Sequence, residues 1–182
     1  MATSKRRIQT LLSRAGTARS RDLVTAGVTR SQLSRMVATG ELVRVERGLY
    51  AKPGYQSSEH GVLAEVAKRA PNALFCLLTA LRLHDLTTQA PFEVWIAIGN
   101  KGHPPRLNYP PLRTVRFSDA ALSAGVETRR VDGTPVRVTS VAKTVADCFK
   151  FRNKVGLDVA LEALREARRT KKASADELWR YA

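Results

Sequence analysis

The sequence predicts an α+β protein in two parts: a small N-terminal module of short helices with one hairpin, then a larger domain whose small sheet is packed by helices. Three observations carry that expectation. Amphipathic stripes with a helical period, punctuated by Ser and Gly, fill residues 4–39; an alternating segment over 43–51 turns at Arg47-Gly48; and beyond residue 90 period-two segments lie among helical ones. The 182 residues, 43% of them hydrophobic, suffice for a packed core in one ordinary domain or two small ones.

Residues 4–14 place Ile8, Leu11 and Leu12 on one helical face behind a basic leading turn of Lys5, Arg6 and Arg7, with Ser4 as N-cap. A second short helix over 20–26 is capped by Ser20 and stopped by Gly27. Thr29 followed three residues later by Gln32 forms a capping box, which opens a third helix over about 30–39 that stops at Gly40. Its inner stripe is Leu33, Met36 and Val37. At 100° per residue, Ser31, Ser34, Arg35 and Ala38 point away from Leu33, while Arg30 and Gln32 flank the first turn. That outer face combines hydroxyls, an amide and guanidinium forks, which suits phosphates and base edges in a major groove. The bland alternative is an ordinary solvated surface.

The next segment favours the first of these. Val43-Arg44-Val45-Glu46, the turn at Arg47-Gly48, and Leu49-Tyr50-Ala51 read as a β-hairpin closed by Pro53-Gly54. Three short helices and a basic hairpin make a winged helix-turn-helix over 1–55, in which the third helix enters the major groove and the hairpin lies along the backbone. Arg30, Ser31, Gln32, Ser34 and Arg35 are the expected groove contacts; Arg44, Arg47, Lys5, Arg6 and Arg7 are the expected phosphate contacts. Charge agrees with this. The chain carries 31 Lys+Arg against 16 Asp+Glu, net +15. Residues 1–55 hold 11 and 3 of these, so this part alone carries +8. Aromatics are 6% of residues, which favours duplex over stacked single strands. A winged helix used only for protein contacts would not need positive charge on both helix and wing.

At this point the stretch SRDLVTAGVTRSQLSRMVATGELVRVERGLYAKPG resembles the N-terminal winged-helix domain of AbiEi-type antitoxins. TPVRVTSVAKTVADCFKFRNKVGLDVALEALREA resembles the C-terminal domain of the same family, in the right order and separation. The resemblance implies a bacterial type IV toxin–antitoxin module, encoded beside a nucleotidyltransferase-like toxin and associated with abortive infection and phage defence. It implies an N-terminal domain that binds inverted repeats in its own promoter and represses it. The C-terminal domain would counter the toxin, with no direct contact implied. Two alternatives stay open: a plain winged-helix transcriptional repressor without a toxin, and a winged-helix nuclease.

The remainder, 59–182, reads as a second α+β domain. Ser58 caps a helix to residue 69, and the apolar run 72–86, with Asn72 as cap, is expected to be a buried helix. Phe92, Val94, Ile96 and Ile98 alternate in one strand and residues 112–117 in another, joined by a proline-rich loop; Asp132-Gly133 is a strong hairpin signal. About four strands result. Ser140 and Ser174 cap later helices, Leu157, Ala160, Leu161 and Leu164 mark one core face, and Trp179 is expected to dock the last helix. Lys143, Lys150, Arg152, Lys154, Arg168 and Arg169 form a possible secondary basic face, although cations at helix C-termini are partly explained by the macrodipole.

Catalytic signals are weak. His60, His84 and His103 are scattered, no glycine-rich phosphate loop or zinc-protease helix motif occurs, and the strand tripeptide of restriction-type nucleases is absent. No enzyme, metal or cofactor is expected. Cys76 and Cys148 sit in apolar surroundings as reduced thiols, and neither a secretory leader nor a membrane span is seen, so a cytoplasmic protein without membrane partners is expected.

Overall fold

The apolar stripes of the N-terminal helices converge on one core in the computed structural model, which describes residues 2–55, 58–107 and 109–182. Two compact units result, residues 1–64 with 130–134, and residues 65–129 with 135–182. The first unit runs α1 (Ala2–Ala15), β1 (Thr17–Arg19), α2 (Ser20–Thr25), α3 (Arg30–Ala38), β2 (Val43–Glu46) and β3 (Leu49–Ala51). Ile8 and Leu12 of α1, Leu23 of α2, Val28 of the turn, Leu33 of α3 and Leu42 pack together, all nearly inaccessible to water. Full burial of each Leu contributes about 1.5–3 kcal/mol.

A small antiparallel sheet of order β1-β3-β2 closes this unit. The three-residue β1 carries too short a pattern to be seen in the sequence; Gly16 introduces it. Its φ of +64° and the Tyr55 ring, 2.6 Å from where a Cβ would sit, exclude other side chains. The Tyr55 hydroxyl in turn donates to Asp132 Oδ2 at 2.9 Å.

The chain continues as α4 (Gly61–Arg69), β4 (Leu74–Phe75), α5 (Leu77–Leu83), β5 (Val94–Gly99), β6 (Leu112–Phe117), α6 (Asp119–Ser123), β7 (Val126–Val131), β8 (Thr134–Thr139), α7 (Val141–Lys150), α8 (Arg152–Val155), α9 (Leu157–Arg169) and α10 (Ala175–Trp179). Among the described residues its sheet has five strands, not four, in the order β6-β5-β4-β8-β7. The extra strand is β4, at the front of the run expected to be one buried helix. Residues 73–81 are all buried, so apolar periodicity cannot separate strand from helix there. Leu74 and Phe75 pair with β5 on one side and β8 on the other, and Asn72 offers its carbonyl to Arg137 instead of capping a helix.

Other expectations shift for similar reasons. The helix expected from Ser58 starts at Gly61, because Gly61 N donates to Ser58 O in a preceding turn. Phe92 lies before β5 and is 81% exposed; the strand is buried on both faces through Val94, Trp95, Ile96 and Ala97. In α9 the core face is Val159, Ala160, Ala163 and Ala167, whose small side chains allow close packing, and Leu157 is left half exposed. Leu178 and Tyr181 pack the C-terminal segment in place of Trp179, which is 77% exposed. The Asp132-Gly133 turn has positive φ at both residues, 46° and 71°, the type I′ geometry that the dipeptide signals. Ser140 and Ser174 cap α7 and α10 as expected.

One charged pair sits inside the second unit. Lys143 Nζ lies 3.1 Å from Asp147 Oδ2, one turn along α7, and 4.9 Å from the centre of the Phe117 ring. Both side chains are at most 10% exposed. Removing one partner strands the other charge without solvent, so Asp147→Ala is expected to lower the unfolding free energy by about 3–5 kcal/mol. The double variant Lys143→Met/Asp147→Leu should recover most of that loss in urea denaturation.

Candidate nucleic-acid interface

The rotation of α3 is fixed from both sides. Inward, Leu33 is 1% exposed, and Met36 and Val37 pack against the same core. At the N-terminus the capping box forms: Gln32 N donates to Thr29 Oγ1 at 3.2 Å, and Thr29 N donates to Gln32 Oε1 at 2.9 Å. At the other end, Leu42 N donates to Met36 O, tying the entry of β2 to the helix.

With that rotation, Arg30, Ser31, Ser34 and Arg35 are exposed. Gln32 is half buried and its carbonyl oxygen is committed to Thr29 N, as the capping-box spacing predicts, so only its amide Nε2 remains to donate outward. The Ser31 hydroxyl lies 2.9 Å from Thr29 Oγ1 and therefore shares in the cap. Arg30 and Arg35 have no ion-pair partner among the described residues, which leaves both guanidinium forks available to an external anion.

The wing is attached to the same helices. Expected as its own N-cap, Ser20 is instead the first residue of α2; Arg19 occupies the cap position without a side-chain bond, and Ser20 N donates to Gly48 O at 2.9 Å. Gly48 has φ +78° at the hairpin turn, and a register shift lies between Arg44 and Glu46, as in hairpins that place a left-handed glycine at a bulge. Arg47 precedes that glycine and is exposed; Arg44 is exposed on β2 opposite Tyr50. On α1, exposed Arg6 and Arg7 line a shallow depression with Ala26, and an Arg7 guanidinium nitrogen is 3.9 Å from where a Gly27 Cβ would stand. These two arginines thus flank the turn between α2 and α3. The side chain of Lys5 lies outside the described residues.

The secondary basic face is smaller than the sequence suggests. Lys143 is buried against Asp147 and the Phe117 ring and leaves that set. Arg169 is held by Glu166 at 2.6 Å. Lys150, Arg152, Lys154 and Arg168 are exposed, with Arg152 donating to Phe149 O.

Titratable groups in the interior show no catalytic arrangement among the described residues. Burial pushes the Cys148 thiol up to about 12, helped by Asp147, and holds Cys76 well above its usual value, so neither supplies a thiolate at neutral pH. Burial lowers the pKa of His84, whose Nε2 lies 2.7 Å from Thr139 O. Burial raises the Asp147 pKa, against the pull of Lys143. Among the described residues no group of three His, Cys, Asp or Glu could hold a metal ion, and no helix is long and apolar enough to cross a membrane.

Comparison with known proteins agrees with the geometry of the first unit. Residues 6–52 match the family described as transcriptional regulator, AbiEi antitoxin, which spans α1 through the wing. No curated protein matches the chain. The crystal structure of the RV2827C protein from Mycobacterium tuberculosis is similar in fold, with a TM-score of 0.61 over 98% of this chain and 71% of that one, at 17% identity.

Proposed function

We infer, from a first unit that carries the AbiEi antitoxin regulator match over residues 6–52, that this protein is a DNA-binding transcriptional regulator of the antitoxin type. The observation that carries this reading is the outer face of α3. Arg30, Ser34 and Arg35 are exposed on a helix locked in rotation by Leu33 and the Thr29–Gln32 box, in a segment of net charge +8. In the proposed complex α3 enters the major groove of a duplex, where Arg30 and Arg35 reach guanine edges or phosphates and Ser31 and Ser34 add short hydrogen bonds. Arg44 and Arg47 of the wing and Lys5, Arg6 and Arg7 of α1 neutralise backbone phosphates. The site is an inverted repeat in the protein's own promoter, and occupancy represses transcription. The protein acts by binding rather than catalysis, in the cytoplasm, and its second domain counters a nucleotidyltransferase toxin, with no direct contact implied. The sequence resemblance of the C-terminal stretch supports that last part.

Anisotropy titration with the duplex upstream of the reading frame tests the DNA-binding assignment. Arg35→Glu is expected to weaken binding by about 10- to 100-fold and to alter operator preference. Arg47→Glu should weaken all duplexes alike and flatten the log affinity against log salt slope by about 0.9. Unchanged binding in both variants would overturn the assignment. For the antitoxin role, co-expression of the Arg35→Glu chain with the neighbouring nucleotidyltransferase should still restore growth; no rescue by either this variant or the parent chain would leave a plain repressor.

A further inference from the structure

Within the second unit a groove of about 740 Å³ lies between α7, α9 and α10, and the regulator reading makes no use of it. Its walls are apolar: Phe149 of α7, Leu164 of α9 and Leu178 of α10. Trp179 stands at its side, 77% exposed although it is the largest apolar side chain of the segment. The charged side chains that line the groove are all cations, Lys150, Arg152 and Arg168, and the last residue of the chain, Ala182, lines it beside them. Arg152 spends one nitrogen on Phe149 O, whereas Lys150 and Arg168 have no ion-pair partner among the described residues.

A sulfate or phosphate would find the cations but gain nothing from the apolar walls, and a neutral hydrophobe would leave the rim unanswered. A molecule that uses both has an apolar body and one anionic head. The volume falls in the range of sites that enclose small organic ligands, about 300–1,000 Å³, and such sites combine apolar walls with a few polar anchors. We propose that this groove binds a medium-chain acyl carboxylate, with the chain along Phe149, Leu164 and Trp179 and the carboxylate between Lys150 and Arg168. The inference is independent of the DNA-reading assignment, since none of these residues belongs to the first unit.

Trp179 supplies the assay. The only other tryptophan, Trp95, is buried in the sheet and gives a constant background. Titrating the full-length chain with dodecanoate below its micelle threshold is expected to give a saturable blue shift in emission, absent in Trp179→Phe. Decanoate should bind about tenfold more weakly, because two fewer methylenes leave water. Lys150→Glu/Arg168→Glu should weaken dodecanoate about tenfold. Dodecyltrimethylammonium, with the same tail and opposite charge, should give no saturable shift. The proposal is overturned if dodecanoate leaves the emission unchanged, or if the cationic amphiphile binds equally well. It is also overturned if only phosphatidylglycerol vesicles shift the emission, which would make the groove a membrane contact. Saturation by an acidic amphipathic peptide but not by dodecanoate would overturn it too, and would assign the groove to a protein partner.

Discussion

The burial of Leu33 determines which side of α3 meets solvent, and the rest of the first unit is arranged around that choice. A nine-residue helix is too short to hold itself in water, so its orientation comes from tertiary packing. Leu33 shares a core with Leu23, Val28 and Leu42, and the Thr29–Gln32 box satisfies backbone and side-chain groups at the first turn of the helix. Turning α3 by a single residue position would expose Leu33 and rotate Arg35 by about 100° toward the core, at a cost set by the lost apolar burial. The polar face is therefore a consequence of the apolar one.

Attachment of the wing follows the same logic with backbone bonds. Ser20 N to Gly48 O secures the hairpin turn to the start of α2, and Leu42 N to Met36 O secures the entry of β2 to the end of α3. A frame held this way removes the cost of ordering the backbone that carries the cations, and only their side chains remain to be ordered by a ligand. In the second unit the opposite use of a cation appears. Lys143 is consumed internally by Asp147 and the Phe117 ring, which is why a count of lysines and arginines overstates the charge that the surface presents.

Much of this is legible in the amino-acid sequence. The capping box, the stripe of α3, the Arg47-Gly48 hairpin and the Asp132-Gly133 turn are written in local chemistry: a side chain that satisfies a backbone donor, or a glycine that accepts positive φ. What the sequence conceals depends on partners distant along the chain. Strand β4 hides in an apolar run and exists because β5 and β8 flank it; β1 exists because β3 offers it an edge. Tryptophan is costly to expose, which places Trp179 inside on sequence grounds, yet Leu178 and Tyr181 fill the place it would take. The Thr29 and Gln32 spacing announces the cap, and it takes the Gln32 carbonyl oxygen while leaving the amide nitrogen.

We propose that the outer face of α3 and the turn of the wing meet duplex DNA together. Amide-resolved NMR titration of the full chain with the duplex upstream of its reading frame tests this most directly. Shifts are expected to concentrate at Arg30, Ser34 and Arg35 and, in the same titration, at Gly48. Shifts confined to α7 and α9, with α3 and the wing unmoved, would contradict it.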